Sequence, residues 1–330
     1  MRNIICTVIT NNYAHYALAL HDSFKDYDDT VDYCVFVSNG ALDTAYEDEF
    51  EARGIVLLTV ADFKDNRLAK QMHEKYATVY HDAYRWGMKP LVMIELLNRS
   101  YDHVIYVDSD IYFFADYTFL WKELETRSML LSPHWRCSDP SISETNFRHN
   151  FLDGIYNGGF VGASKKGIKA MSYWAELCLF KCEVNRNDGF YVDQRYLDIL
   201  PTRFEGVGHI THRGCNVANW NIVDCQRVAQ ADGTVLINNT FPIVFIHFTN
   251  SLFKGAYLWK DDALLIPYIE RYRDNLLNYS KVDVIAAFFN KGIHQQSRTE
   301  SDFEKKSLIV KLKTLLKRTV KKVLKTFKLF

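Results

Sequence analysis

The stretch His103-Val-Ile-Tyr-Val-Asp-Ser-Asp-Ile-Tyr-Phe-Phe114 decides the fold of this 330-residue chain. Residues 104–107 are β-branched or aromatic and lie between polar residues, which predicts a short buried strand. Asp108 and Asp110 follow this strand directly. The carboxyl end of a strand in an α/β sheet opens onto the ligand crevice, so both carboxylates are expected to face a ligand. The alternative is that they only cap a turn after the strand.

The segments before this stretch alternate between strand and helix patterns. Strands are predicted at 4–9, 33–37 and 55–60, and helices at 14–24 and 43–52, from apolar runs and from helical spacing. This alternation predicts an α/β fold with a mainly parallel central sheet flanked by helices and right-handed crossovers. No G-x-G-x-x-G follows the first strand, which makes a dehydrogenase an unfavourable interpretation.

The composition is that of a globular protein with a large core, since 48% of the residues are apolar and 15% are aromatic. The formal net charge of zero conceals an uneven distribution. Residues 303–330 contain ten Lys or Arg and one Glu, a net charge of +9, whereas the other 302 residues have a net charge of −9. A mildly acidic body argues against nucleic-acid binding, and the basic tail is expected to meet an anionic surface.

The seven cysteines are an odd number without a C-x-x-C pair, and most of them lie in apolar runs. We therefore predict buried reduced thiols of a cytosolic protein, with disulfides or zinc as the alternative. The N-terminal segment lacks the apolar region and cleavage site of a secretory signal. No apolar run of about 18 residues is present to span a bilayer.

The Asp108–Ser109–Asp110 tripeptide suits a hard divalent cation, Mg²⁺ or Mn²⁺, because such ions prefer oxygen ligands and keep positions open for phosphate oxygens. A strand predicted at 243–246 ends at His247, which is a candidate nitrogen ligand to the same cation. A lone histidine is more often structural. Lys254, seven residues later, is a candidate contact for a diphosphate.

Residues 70–98 have a helical pattern, which we expect to be interrupted at Lys89–Pro90. Proline is favourable in a first helical turn, so Pro90 is predicted to begin a helix over 91–97. Lys89 would then lie near a helix start, where anions bind. The alternative is a solvated lysine beside a kink.

Three later segments carry polar residues of interest. Residues 137–151 are polar and are predicted to form an irregular active-site loop. Asn157-Gly158-Gly159 lies inside a strand pattern, which predicts a bulge or close ligand approach. Asp193 and Gln194 fall near a predicted helix start, where Asp193 has helix capping as its alternative role. The amide-rich loop 214–221 offers amide groups and an indole ring for contact with a sugar.

Taken together, these motifs resemble the glycogenin-like and bacterial lipooligosaccharide galactosyltransferase group of retaining glycosyltransferases, over residues 3–260. The resemblance implies a GT-A (nucleotide-diphospho-sugar transferase) fold and a nucleoside diphosphate sugar, a UDP-sugar by preference, as donor. It implies that the base is bound by Asn12 and Tyr13, next to Thr10, where family members often have an acid. It implies that Asp108, Asp110 and His247 hold Mn²⁺. The remaining implied donor-site and catalytic residues are Lys89, Ser109, Asn157, Gly158, Gly159, Asp193, Gln194, Lys254 and Gly255.

The function that this resemblance implies is metal-dependent transfer of a sugar to a hydroxyl of a glycan or lipid-linked acceptor. Two motif strings are also similar to those of uncharacterised transferases from bacterial surface-polysaccharide clusters, so polysaccharide or lipooligosaccharide synthesis is the expected setting. Retention is expected, with Gln194 or Asp193 near the anomeric carbon; an inverting enzyme would instead use Asp193 as base. The alternatives are a sugar nucleotidyltransferase and a non-catalytic nucleotide-sugar or carbohydrate-binding protein.

The tail at 303–330 has an apolar face and a basic face at helical spacing. A basic amphipathic helix of this kind is typical of membrane-surface binding, so we predict peripheral attachment to the inner face of the cytoplasmic membrane. A helix that binds a partner protein is the alternative. The predicted organisation is a catalytic domain at 1–265, a C-terminal helical extension at 266–302 and this tail.

Overall fold

A computed structural model describes residues 1–289 of the chain. Residues 1–280 form one compact unit. The described residues beyond it include a helical segment at 284–289. The tail predicted to bind membranes lies outside the described residues. The division of the chain into a catalytic domain, a helical extension and a tail, at residues 265 and 302, remains a prediction.

Strands and helices alternate along the first half of the chain, as the sequence predicts. The strands are β1 (Asn3–Ile9), β2 (Asp32–Val37), β3 (Val56–Thr59), β4 (His103–Val107), β5 (Ile111–Phe113), β6 (Met129–Pro133), β7 (Tyr156–Ser164), β8 (Val184–Asn185), β9 (Phe190–Tyr191), β10 (Val207–His209), β11 (Arg227–Ala229), β12 (Val235–Ile237), β13 (Phe241–Pro242) and β14 (Phe245–His247). The helices are α1 (Ala14–Lys25), α2 (Thr44–Ala52), α3 (Arg67–Tyr76), α4 (His81–Asn98), α5 (Phe119–Thr126), α6 (Glu144–Leu152), α7 (Ile168–Phe180), α8 (Leu200–Arg203), α9 (Asn250–Phe253) and α10 (Ile266–Leu277).

The central sheet has seven strands in the order β10-β6-β7-β4-β1-β2-β3. β1 is parallel to both β2 and β4, β2 is parallel to β3, and β10 is parallel to β6. β7 is antiparallel to its neighbours β4 and β6. The sheet is therefore mostly parallel with one reversed strand, and the prediction of a mainly parallel sheet flanked by helices is confirmed.

Hydrophobic clusters cover both faces of this sheet. The first packs α3, α4 and α7 on one face and includes Trp174 and Met88, both fully buried. The second packs α1 and α5 on the other face and includes Phe24 and Phe113. All seven cysteines are free and buried, as predicted. Within residues 1–289, no helix combines the length and hydropathy needed to cross a membrane.

The helical stretch before β4 differs from its prediction. The interruption lies at residues 77–80, between α3 and α4, and Pro90 is inside the continuous helix α4 rather than at its start. Proline in a helix interior loses one backbone hydrogen bond. Here α4 is buried along most of its length, and this tertiary packing outweighs the local preference.

The segment predicted to be an irregular loop also differs, because α6 occupies Glu144–Leu152. The Ser143 side chain accepts a hydrogen bond from the Asn146 N–H, and Glu144 lies in the first turn. These are ordinary signals for a helix start, and the polar composition of the segment obscured them. The last predicted strand is also shifted, because β14 ends at His247 instead of before it.

Candidate active site

The two carboxylates after β4 and the imidazole at the end of β14 come together in one cluster. One ligand atom from each of Asp108, Asp110 and His247 lies within 4.8 Å of the others. His247 Nε2 is 3.2 Å from an Asp110 oxygen and 3.9 Å from an Asp108 oxygen. The three groups were predicted as one site, and the fold places them at the carboxyl end of β4.

Strand pairing produces this arrangement. β14 pairs antiparallel with β5, and the register places His247 opposite Ile111, the residue after Asp110. The Phe248 N–H donates to the Asp110 carbonyl at 2.8 Å, and the Asp108 N–H donates to the Gly159 carbonyl at 2.8 Å. Backbone hydrogen bonds therefore join segments that are far apart in the sequence and bring their side chains to one place.

The donor set fits a divalent cation. Two carboxylates and one imidazole match Mn²⁺ or Mg²⁺, which accept oxygen and nitrogen ligands. The His247 carbon Cε1 and an Asp108 oxygen would lie 2.5 Å and 2.9 Å from a Cβ atom placed on Gly159. Only glycine leaves room for the cluster at this position. The bulge that the glycine pair predicted is present, because the pairing of β6 with β7 shifts register between Leu131 and Ser132.

Electrostatic contacts shift the pKa values of Asp108 and His247. Burial raises the pKa of Asp108, but the Lys89 ammonium and the His247 imidazole outweigh it, and the net pKa is lowered. Burial lowers the pKa of His247, but the carboxylates of Asp110 and Asp108 outweigh it, and the net pKa is raised. Each charged group is thus stabilised by its neighbours.

Lys89 reaches the site from the middle of α4 and not from a helix start. Its ammonium donates to the Gly158 carbonyl at 2.9 Å and lies 3.2 Å from Asp108 and 3.3 Å from Asp193. Burial lowers the pKa of Lys89, and the two carboxylates raise it above its ordinary value. The prediction of an anion site at a helix start is wrong, because α4 continues through Pro90. The solvated alternative is wrong as well, because Lys89 is buried.

Asp193 and Gln194 lie at the start of the 3₁₀ helix Gln194–Ile199. The Asp193 side chain makes no capping hydrogen bond and is only 2% exposed. Burial raises its pKa despite the nearby Lys89. The Gln194 amide accepts from the Gly158 N–H at 3.3 Å and donates to the Asp153 carbonyl at 3.0 Å, so both ends of this amide are fixed.

A buried histidine that sequence reasoning did not select supports Asn157. The Asn157 Oδ1 accepts from the Gly159 N–H at 3.0 Å, and its Nδ2 lies 3.2 Å from His134 Nε2. His134 Nδ1 is 2.9 Å from the Gly154 carbonyl. Burial and the nearby Arg136 lower the pKa of His134 to about 3, so the imidazole is neutral at pH 7. His134 could have been selected from the sequence because it directly follows the strand β6.

A cavity of about 170 Å³ adjoins the carboxylates and contains the predicted base-binding residue Tyr13. Its lining residues are Val8, Tyr13, Arg85, Trp86, Lys89, Tyr106, Asp108, Ser109 and Asp110. The Thr10 hydroxyl donates to Asn12 Oδ1 at 2.6 Å, in the turn that precedes Tyr13. Sequence reasoning did not select Arg85 or Trp86. Arg85 could have been selected because it lies four residues before Lys89 and therefore on the same helix face.

A second cavity, of about 270 Å³, shares Trp86, Lys89 and Asp108 with the first. It contains the predicted residues Asn157, Gly158, Gly159, Asp193, Gln194 and His247, together with Trp220 from the amide-rich loop. The Trp220 and His247 rings meet edge to face at 5.3 Å. Lys254 and Gly255 begin the π-helix Lys254–Trp259. Neither of them lines these two cavities.

No protein-family profile matches the chain. Two uncharacterized proteins of Bacillus subtilis (strain 168) are similar to it. YfnF is 28% identical over 76% of this chain and 82% of its own length. YfnD is 30% identical over 59% of this chain and 61% of its own length. Neither name assigns an activity.

Among solved structures, the galactosyltransferase LgtC, in complex with donor and acceptor sugar analogs, is similar to this chain with a TM-score of 0.50. The identity is 15%, and the match covers 84% of this chain and 97% of LgtC. At this identity the likeness shows the fold. The chain therefore has the GT-A fold of such glycosyltransferases, and the predicted fold class is confirmed.

Proposed function

We propose that this chain is a metal-dependent glycosyltransferase that moves a sugar from a nucleoside diphosphate sugar, a UDP-sugar by preference, to a hydroxyl acceptor. The observation that carries the proposal is the cluster of Asp108, Asp110 and His247 at the carboxyl end of β4, between two cavities of a GT-A fold. Ligands of open α/β sheets bind at this edge.

The two cavities suit the two halves of such a donor. The smaller cavity offers the rings of Tyr13 and Trp86 to a base and the guanidinium of Arg85 to phosphate. Asp108, Asp110 and His247 would hold the cation, with Lys89 as a further positive charge. A divalent cation in this position supplies Lewis-acid stabilisation of the charge on the leaving diphosphate.

The larger cavity would hold the transferred sugar. Gly158 and Gly159 line it without side chains, and Gln194 is fixed at both ends of its amide. Such preorganised polar groups stabilise charge that develops in a transition state. Asp193 is buried and paired with Lys89, which leaves it poorly placed to take a proton from an acceptor hydroxyl and favours retention. Proton NMR of the product anomer tests this, and an inverted anomer would refute retention.

A donor screen tests the proposed activity. Purified protein with Mn²⁺ is incubated with UDP-, GDP-, CMP- and dTDP-sugars, and nucleotide release is measured. We expect metal-dependent release from one donor, lost in Asp110→Ala. No release from any donor, together with no nucleotide binding by calorimetry, would overturn the proposal.

We further propose that the acceptor is a glycan or lipid-linked sugar of bacterial surface-polysaccharide synthesis, reached at the inner face of the membrane through residues 303–330. The support is the basic amphipathic pattern of that segment. Co-sedimentation with anionic liposomes is the measurement, with a chain ending at residue 302 as comparison. Equal sedimentation of both chains would contradict the attachment.

A further inference from the structure

Two arginines share one buried carboxylate at the larger cavity, which Arg136 and Asp153 line. Arg136 donates to one oxygen of Asp153 at 2.8 Å, and Arg186 donates to the other at 2.7 Å. His149 Nδ1 also lies 2.8 Å from the oxygen that Arg136 contacts. Asp153 is buried, so one carboxylate is shared by two guanidinium groups.

This sharing leaves an excess of positive charge. Two guanidiniums and one carboxylate have a net charge of +1, whereas Asp108 and Asp193 share the single ammonium of Lys89 and have a net charge of −1, so the positive excess is local to the two arginines. The Arg136 side chain is only 10% exposed, and its Nε atom is buried with no hydrogen-bond partner among the described residues. An unpaired donor on a buried cation is costly unless a ligand satisfies it.

Arg186 lies beside the cavity and contacts two of its lining residues, Tyr191 and Asp153. Its guanidinium carbon lies 4.5 Å from the centre of the Tyr191 ring, and Tyr191 lines the cavity. Stacking on the ring and the bond from Nε to Asp153 orient the guanidinium. Fixed guanidinium groups suit phosphate and carboxylate, since their N–H groups match the spacing of the oxygens.

We infer that Arg136 and Arg186 bind an anionic substituent, a phosphate or a carboxylate, on the acceptor sugar. The inference rests on the proposed function, because it assigns this part of the sugar cavity to the acceptor. Asp153 positions the two guanidinium groups.

The test is binding of small sugars to the full chain with the nucleotide site filled. Protein saturated with Mn²⁺ and UDP is titrated with glucose 1-phosphate, glucuronate and glucose, and binding is followed by saturation-transfer NMR. We expect at least one anionic sugar to bind about tenfold or more tightly than glucose, as charge-assisted hydrogen bonds imply. The stronger of the two anionic probes distinguishes phosphate from carboxylate.

Two matched variants separate this role from a structural one. Arg186→Gln should remove the preference for the anionic sugar, and Arg203→Gln should keep it. Arg203 is an exposed arginine that stacks on Tyr173 outside the cavity. Thermal unfolding of both variants checks that they fold.

Equal binding of neutral and anionic sugars, or an unchanged preference in Arg186→Gln, would overturn the inference. Failure of UDP to bind in the first step would instead count against the proposed function. The two failures are therefore distinguishable.

Discussion

Two buried ion-pair clusters in this chain are built differently. Arg227 and Asp262 form a two-pronged pair with distances of 2.9 Å and 3.2 Å, and Arg227 also donates to the carbonyls of Ala218 and Cys225. Lys89 instead lies between Asp108 and Asp193, and the Asp193 oxygen nearest to it has no hydrogen-bond partner among the described residues. The first pair is closed and satisfied, whereas the second faces a cavity.

The difference separates a structural pair from a site. A satisfied buried pair fixes the backbone around it, and removing one partner leaves an uncompensated charge. A pair with unsatisfied groups beside a cavity has capacity for a ligand, and such perturbed electrostatics are common at functional sites. The closed pair should therefore control stability and the open cluster should control binding.

The largest expected effect on stability is at the closed pair. Arg227→Met should lower the free energy of unfolding by about 3–5 kcal/mol, because Asp262 is left buried and unpaired. Urea denaturation measures this loss, and the double variant Arg227→Met/Asp262→Leu should recover most of it. A loss below about 1 kcal/mol would contradict the distinction drawn between the clusters.

Metal binding should stabilise the open cluster. Mn²⁺ at a hundredfold excess over its dissociation constant should raise the free energy of unfolding by about 2.7 kcal/mol. Asp110→Asn should abolish this gain, since it removes a ligand. Urea denaturation with Mn²⁺ and with EDTA measures both. An equal gain in wild type and variant would show that Mn²⁺ binds elsewhere.

Glycine replacements test the space around the cluster. Gly159→Ala should cost about 1–3 kcal/mol through overpacking and should weaken Mn²⁺ binding, because its Cβ would meet His247 and Asp108. For Gly162→Ala, in the same strand, the three nearest atoms to the added Cβ belong to Leu124 and Leu130 and lie 3.2 Å away or further. Calorimetric titration with Mn²⁺ should show a loss of Mn²⁺ affinity in Gly159→Ala and not in Gly162→Ala. Equal Mn²⁺ affinities of the two variants would argue against the cluster as the metal site.

The smallest expected change in stability is at Asp193. Asp193→Asn should alter the free energy of unfolding by less than about 1 kcal/mol, because Lys89 keeps Asp108 and the Gly158 carbonyl as partners. Turnover of the donor found in the screen should fall about a hundredfold if the Asp193 carboxylate lies near the anomeric carbon and stabilises the positive charge that develops there. Urea denaturation of Asp193→Asn is compared with that of Asp262→Asn. Equal losses of unfolding free energy in the two variants would contradict the distinction between the open cluster and the closed pair.

Much of the fold was predictable because its signals are local. Strands such as β1 and β4 are apolar runs bounded by polar residues, and α1 has regular helical spacing. Pro90 misled the prediction, since a local preference was outweighed by the burial of α4. The same error placed Lys89 near a helix start in the prediction, whereas Lys89 contacts the site from the interior of α4.

The candidate site was partly predictable from strand ends. Asp108, Asp110 and His247 each follow or end a predicted strand, and this was enough to select them. Arg136 and Arg186 gave no such signal, because their roles depend on Asp153. His134 does follow a strand, but its role depends on Asn157, which is distant in sequence.

The sequence by itself determined the order of strands and helices and the chemical types of the cation ligands, because those depend on neighbouring residues. Only the tertiary structure decided which side chains meet. The antiparallel pairing of β5 with β14 brings His247 to Asp110, and the reversed strand β7 presents Gly158 and Gly159 to the same cluster. The pairing partners of strands distant in sequence are fixed by packing of the whole sheet, which no local pattern contains.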